Sequence, residues 1–379
     1  MFGHSHKQFK IVLLQFEIMK KIPWWQTEFS TGEASSAAQA ISEGRLSQGL
    51  LVAEFEERLA RYLGVKHVVA TTSGSDALLL SLWAAGVGPG DEVLIPNRTW
   101  IATAHAVLIL GATPVLVDTE SDRPIISISD LERKVSDRTR AVIPVHMNGR
   151  DSQIDEVIKF GDQYDLKVIE DAAQALGSRD PSGVLLGTKS LAGCFSLSVA
   201  KVISSGQGGF IASNHDEFAN QLRLMRTHGV ENVVEPVNWS RPGFNFRFTD
   251  VLASIALEQF KKLDQRLARL RHIYKKYSSE LIQSDRCKLI PMDLEQGEIG
   301  PYVEVLCRDR EKLTKYLSGF EIETRKFYPN LDSARYLFSE NINWNSRVYG
   351  YEGLYLPSGP SLTDESIEYV VNKINRFYE

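Results

Sequence analysis

The stretch VIEDAAQALG, residues 168–177, poses the question on which the fold turns. Val168 and Ile169 read as the end of a buried strand, and that strand runs directly into two adjacent carboxylates, Glu170 and Asp171. A carboxylate in such a place is costly to desolvate unless a partner meets it. In open parallel sheets, ligands sit outside the carboxyl ends of the strands. The other strand ends of the chain therefore have to supply that partner.

Outward from this stretch, short apolar runs alternate with helical patterns from about residue 50 to 215. The strand candidates are HVVATT (67–72), EVLIP (92–96), PVLV (114–117), AVIPV (141–145), KVIE (167–170), GCFSL (193–197) and GGFIAS (208–213). Several are continuous apolar runs, as expected of strands covered on both faces. Between them, Leu78, Leu79, Leu82 and Trp83 recur at helical spacing within 75–85. The pattern predicts an α/β plan: a large domain with a mostly parallel seven-stranded sheet between helices. Thr249 can cap a helix, and Leu252, Ile255, Phe260, Leu263, Leu267, Leu270 and Tyr274 lie close to one stripe, predicting one long helix out of that domain. Beyond it, YVEVLCR (302–308), REKLTKYLSG (310–319) and TDESIEYVVNKINRFY (363–378) predict a smaller α+β C-terminal domain. The expected division is an N-terminal arm or extension at 1–22, a large ligand-binding domain at 23–262 and a small domain at 263–379.

A chain of 379 residues has ample material for two associated domains. Its formal charge of −5 argues against general affinity for nucleic acid. The three cysteines, Cys194, Cys287 and Cys307, lie far apart with no C-x-x-C, so neither a zinc site nor a disulfide framework is expected. Reduced thiols of a cytoplasmic protein are the simplest reading. No apolar run approaches the roughly 20 residues needed to span a membrane. IVLLQF (11–16) is too short for a signal-peptide core and lacks a small-residue cleavage site.

Four segments at strand ends carry chemistry. In TTSGSDALLL (71–80), Ser73-Gly74-Ser75 leads from a strand into a helix. Gly74 permits close backbone approach, and helix N–H groups with the Ser75 hydroxyl suit a phosphate. Plain helix capping by Ser73 or Ser75 accounts for the same residues, and Asp76 would repel phosphate unless its side chain turns away. In PNRTWIAT (96–103), Trp100 follows a strand and is placed either to stack on a flat ligand or to fill the core. Asp171, with Gln174 one helical turn later, suits a protonated ring nitrogen or a helix N-cap; Glu170 is expected to turn elsewhere into a structural hydrogen bond. In CFSLSVAKVISSGQGGFIAS (194–213), Ser196 ends a strand and Lys201 follows among Val199, Ala200, Val202 and Ile203. A lysine there loses solvation and becomes an amine nucleophile, unless it snorkels to the surface. A phosphate cradle, a stacking ring, an acid for a pyridine nitrogen and an amine nucleophile are together what pyridoxal phosphate asks of a protein.

The arrangement resembles the pyridoxal-phosphate-dependent sugar aminotransferases of the DegT/DnrJ/StrS group, relatives of aspartate aminotransferase in fold. The resemblance covers about residues 23–379. It is carried by SGSDALLLSLWAAGVGPGDEVLIP (73–96), VIEDAAQALG, FSLSVAK (195–201), GQGG (206–209), RTHG (226–229) and GFNFRFTDVLASIALEQF (243–260). It implies that Lys201 holds the cofactor as a Schiff base and acts as acid–base. It implies that Asp171 pairs with the pyridine nitrogen, that Gln174 lies near the ring hydroxyl and that Trp100 stacks on the ring. Gly74, Ser75 and Ser196 would bind the phosphate, and Asn245 would reach it from a neighbouring subunit of an obligate homodimer. The implied reaction is ping-pong, with L-glutamate as amino donor, pyridoxamine phosphate as the intermediate cofactor form and a keto sugar, usually nucleotide-linked, as acceptor. Such chemistry serves cell-surface polysaccharides or glycosylated metabolites.

Related sugar dehydratases carry histidine where this chain has Lys201, so the lysine favours amino transfer over a dehydratase or deoxygenase. Lys201 and Asp171 together also speak against a non-catalytic cofactor-binding regulator. Two departures concern the rim of the site: Gln207 replaces a commonly acidic residue, and RKFYPNLDSARYL (325–337) lacks the group's usual histidine. Arg98, Arg241 and Arg247 are candidates for diphosphate or carboxylate contacts, or else for surface ion pairs.

Overall fold

The computed structural model describes residues 21–337 and 345–379. Seven strands form the larger sheet: β1 (His67–Thr71), β2 (Glu92–Pro96), β3 (Thr113–Val117), β4 (Thr139–Val142), β5 (Lys167–Asp171), β6 (Ala192–Ser196) and β7 (Gly209–Ser213). Their order is β1-β7-β6-β5-β4-β2-β3. The run from β3 through β6 is parallel, and β7 is antiparallel to both β6 and β1. All five residues of β2 and of β7 are buried, which is why their sequences are apolar without alternation. β4 is shorter than the run AVIPV suggested: Pro144 has no N–H to donate, and Val145 keeps only an isolated bridge to Asp171.

Helices cover both faces. On one side the helix Gly74–Ala84 buries Leu78, Leu80 and Leu82 against Val93, Ile95 and Ile211. On the other, Phe55 and Leu59 pack against Phe195, Phe210 and Phe248. Full burial of each such side chain contributes about 1.5–3 kcal/mol.

The long helix expected from Thr249 is in fact two, Asp250–Phe260 and Leu263–Glu280. Thr249 does cap the first, accepting from the Leu252 N–H at 3.3 Å. At the break the Lys262 N–H bonds the Gln259 carbonyl at 3.1 Å, a tightened turn. The cause is polar. Buried Gln259 donates to Glu33 at 2.6 Å and accepts from Arg266, while the Lys262 ammonium reaches Glu33 at 2.8 Å. An apolar stripe carries no record of that network.

The smaller sheet contains β8 (Cys287–Leu289), β9 (Val303–Cys307), β10 (Arg325–Lys326) and β11 (Gly353–Leu356), in the antiparallel order β10-β11-β9-β8. Helices Arg310–Ser318 and Asp364–Tyr378 pack beside it. Cys287 and Cys307 stand directly opposite each other in β8 and β9, with sulfurs 3.1 Å apart as free, buried thiols. Strand register created a proximity that their separation in sequence concealed.

Of the extension expected at 1–22, residues 1–20 lie outside the described residues. From Ile22 onward the chain ties the two sheets together. Ile22 exchanges backbone bonds with Glu321 and Glu323, and the Trp24 carbonyl accepts from Ser358 at 3.1 Å. The Glu28 carbonyl then takes bonds from Gln259 and Arg266 on the other side. Among the described residues no helix is long and apolar enough to cross a membrane, and no group of His, Cys, Asp or Glu is placed to hold a metal ion.

Candidate active site

A cleft of about 380 Å³ opens at the carboxyl ends of the larger sheet, with the smaller domain contributing one wall. Gly74, Ser75, Trp100, Asp171, Gln174, Ser196 and Lys201 all line it. Residues 97 or more positions apart in sequence, such as Gly74 and Asp171, meet here because β1, β2, β5 and β6 end on the same side of the sheet.

Ser73 caps the helix Gly74–Ala84, its hydroxyl accepting from the Asp76 N–H at 3.1 Å. The same side chain that worried the sequence reading is turned away: Asp76 accepts from the Thr72 hydroxyl at 2.6 Å and the Ser73 hydroxyl at 2.7 Å, and it does not line the cleft. Capping and a phosphate site are therefore compatible at this turn. A Cβ on Gly74 would lie 2.9 Å from the Cβ of Ser196, so only glycine lets the two strand ends approach so closely. The first turn of a helix carries N–H groups without intrahelical partners, and here it is accompanied by the hydroxyls of Ser75, Ser196 and Ser198. That donor set fits a phosphate.

The two carboxylates of the opening stretch take opposite courses, as the alternation of a strand requires. Glu170 is fully buried and accepts from the backbone N–H groups of Gly187, Lys189 and Ser190, from the Ser190 hydroxyl and from His146 Nε2 at 2.9 Å. Burial raises such a group, but the hydrogen bonds from His146 and Ser190 outweigh it and hold the carboxyl below its ordinary range. Asp171 faces the cleft. Its Oδ2 accepts from Thr103 at 2.9 Å and its Oδ1 from the Ala173 N–H at 3.2 Å. Burial pushes its carboxyl above the usual range, opposed by Thr103, by Ala173 and by the charge of Lys201. No helix follows Asp171, contrary to the helical spacing read for Gln174: residues 172–177 form turns, with Gly177 at a φ of 92°. Gln174 still lines the cleft, its Oε1 accepting from the Asn148 N–H at 2.9 Å.

Lys201 sits in a compact loop between β6 and β7. The Leu197 carbonyl accepts from the Ser205 N–H and the Ser204 hydroxyl, and the Lys201 N–H bonds the Ser198 carbonyl. Val202 and Ile203 are buried beneath it, whereas Val199 is exposed. The lysine is partly exposed as a residue, but its amine is enclosed. Desolvation brings the amine down to about 8, with Asp171 pulling the other way. This is no snorkelling lysine.

Trp100 is 49% exposed, so the core alternative is excluded. Its ring stands edge-on to Tyr328 at 5.3 Å, and its free face suits stacking on a flat ligand. Asn245 is exposed and does not line the cleft of its own chain. Of the three arginines, Arg98 is 1% exposed and donates to the Tyr328 carbonyl at 2.7 Å with its guanidinium over the Phe327 and Tyr328 rings. It organises the wall from behind and does not itself line the cleft. Arg241 does not line the cleft either, and Arg247 donates to Asn245 Oδ1 at 2.8 Å.

Several residues escaped the sequence reading. Thr103, four positions after Thr99, holds Asp171; the spacing was visible, but only the fold directs it at the acid. Tyr302 of the smaller domain donates its hydroxyl hydrogen to the carbonyl of Ala200, the residue before Lys201. Trp24, Tyr355 and Arg325 complete the wall.

A buried acid and an enclosed low-pKa amine on one cleft, with a helix-start phosphate cradle and an open indole, define an enzyme of the pyridoxal-phosphate-dependent aminotransferase class. Within it, the sequence profile of the DegT/DnrJ/EryC1/StrS aminotransferase family matches residues 29–375, and the chain belongs to that family. GDP-perosamine synthase of Caulobacter vibrioides is 33% identical over 342 residues, spanning 87% of this chain and 91% of that protein. GDP-perosamine synthase of Escherichia coli O157:H7 is 31% identical over 372 residues, spanning 95% and 99%. Among solved structures, DesV of S. venezuelae superposes with a TM-score of 0.88 at 28% identity, covering 92% of this chain and 95% of that one.

Proposed function

We propose that this protein moves the amino group of L-glutamate to a nucleotide-linked keto sugar, with a GDP-linked sugar as the first candidate, and that the product is an aminosugar for polysaccharide or glycosylated metabolites. The observation that carries this reading is the placement of Lys201 and Asp171 on one cleft. The curated relatives, two GDP-perosamine synthases aligned over nearly their whole length, support the acceptor class.

On this reading pyridoxal phosphate, when bound, supplies an electron sink that stabilises negative charge at the substrate carbon, and it carries the amine between the two half-reactions. The remaining work belongs to the chain. Ser75, Ser196 and the start of the helix Gly74–Ala84 hold the phosphate. Asp171, kept in place by Thr103, would meet the ring nitrogen and keep it cationic. Trp100 would cover one face of the ring, and Gln174 would lie near the ring hydroxyl. Lys201 Nζ, with an amine at about 8, can shed its proton near neutral pH. It then takes the proton from the donor's α-carbon and returns one on the acceptor side. Asn245 serves the phosphate of the second subunit in a homodimer, which accounts for its distance from its own cleft.

The test is an assay of the loaded protein with L-glutamate and a panel of keto sugars, with and without nucleotide. Formation of 2-oxoglutarate that tracks consumption of a nucleotide-linked keto sugar is expected. Ammonia release with loss of a hydroxyl would instead make it a dehydratase.

A further inference from the structure

Three charged side chains line the cleft: Asp171, Lys201 and Arg325. The function proposed above engages the first two and leaves Arg325 without a task. Its position is set by strand alternation. In the two-residue strand β10, Lys326 points to one face and forms an ion pair with Glu311. Arg325 points to the other, in register with Tyr355 of β11. There its guanidinium lies 4.9 Å from the ring centroid of Trp24, which in turn packs against Tyr302 at 5.7 Å and Tyr355 at 5.9 Å. Tyr302 and Tyr355 are buried, so Trp24 rests on packed side chains of the smaller domain. Among the described residues no carboxylate pairs with Arg325, and the residue is exposed to what enters the cleft.

A ping-pong enzyme must admit two unlike substrates to one cleft in turn. An amino-acid donor and a nucleotide-linked sugar share almost no shape. They share an anion, a carboxylate in one and a diphosphate in the other. A planar guanidinium presents paired N–H donors that match both groups. The indole holds it by a cation–π contact without neutralising it.

We propose that Arg325 is the common anion anchor of this cleft, binding a carboxylate of the donor in the first half-reaction and the diphosphate of the acceptor in the second. This rests on the aminotransferase reading above. Trp24, brought in by the segment from Ile22 to Glu28, is the positioning residue that holds the guanidinium over the cleft.

The experiment is calorimetric titration of cofactor-loaded protein with 2-oxoglutarate and, separately, with GDP, for the wild type, Arg325→Met and Arg325→Lys. The methionine variant should bind both probes about tenfold to a hundredfold more weakly, as expected for loss of a charge-assisted hydrogen bond. The lysine variant should recover part of the loss for each, and the visible absorption of bound cofactor should stay as in the wild type. Unchanged binding of both probes by Arg325→Met overturns the proposal, and so does a loss confined to one of them. Wild-type protein that loads cofactor yet binds neither probe overturns the proposed function together with this inference.

Discussion

Thr103 donates its hydroxyl hydrogen to Oδ2 of Asp171 at 2.9 Å, and the Thr99 hydroxyl stands 2.9 Å behind it. All three residues are buried. The bond opposes what burial does to the acid: it favours the ionised carboxylate that a cationic ring nitrogen requires. Replacing Thr103 by Val keeps the shape and removes the donor. The Asp171 carboxyl then rises further above its usual range, so the acid limb of the kcat/KM profile moves to higher pH while the alkaline limb stays. A pH–rate comparison of wild type and Thr103→Val checks this, and coincident acid limbs would mean that Thr103 acts only as packing.

Lys201 makes a prediction that needs no turnover. The nucleophile is the neutral amine, so the rate at which cofactor-free protein condenses with added pyridoxal phosphate should rise with pH and level off above about 8. An unperturbed lysine would keep rising toward about 10.4. Asp171 raises this amine by its charge, so Asp171→Asn should shift the midpoint below that of the wild type. In the loaded enzyme, Lys201→Ala should lower kcat by at least about a hundredfold and abolish borohydride fixation of the cofactor.

How much of this was legible before the fold was known follows from what kind of interaction each feature uses. The strand candidates emerged because strands such as β2 and β7 are buried on both faces and therefore largely apolar, and β5 announced itself by the buried Val168 and Ile169 ahead of its two acids. Lys201 and Asp171 stood out because a charge among apolar neighbours is anomalous in one dimension already. Thr103, Tyr302 and Arg325 were invisible as site residues. A threonine one helical turn from another, a tyrosine ahead of a strand and an arginine in a short edge strand are ordinary in sequence; only register and domain placement direct them at the cleft. The helix break at Lys262 was hidden for a related reason: Gln259 and Arg266 meet Glu33 and Glu28 from more than 220 positions away.

Glu170 is expected to govern acid stability and not catalysis. Its folded carboxyl is held below the ordinary value. Its contribution is therefore fully present above the unfolded value of about 4.3 and disappears as pH falls through the lower folded value. Glu170→Ala would strand the N–H groups of Gly187, Lys189 and Ser190 together with His146, costing at least about 3 kcal/mol. For Glu170→Gln, thermal melts should show a lower Tm at neutral pH and a gap to wild type that narrows on acidification. A gap independent of pH would show that the ionised carboxylate contributes nothing to stability.

The last prediction concerns where one site ends and the next subunit begins. Asn245 is exposed, outside its own cleft, in a segment held by a bridge to Thr227 on one side and by the Thr72 N–H on the Phe246 carbonyl at 3.2 Å on the other. Arg247 carries only donors, so the Asn245 atom 2.8 Å from its Nε is the amide oxygen, which leaves the NH2 group as the donor that an anion would use. If that anion is the cofactor phosphate of a second subunit, two defective variants can repair each other. Lys201→Ala lacks the amine, and Asn245→Ala lacks the phosphate donor. A mixed dimer of the two holds one site with both groups intact and one with neither. Co-folding equal amounts at limiting cofactor should restore about a quarter of wild-type activity per subunit, since half the dimers are mixed and each has one good site. Equal activity before and after mixing would place Asn245 outside any shared site, whatever the oligomeric state.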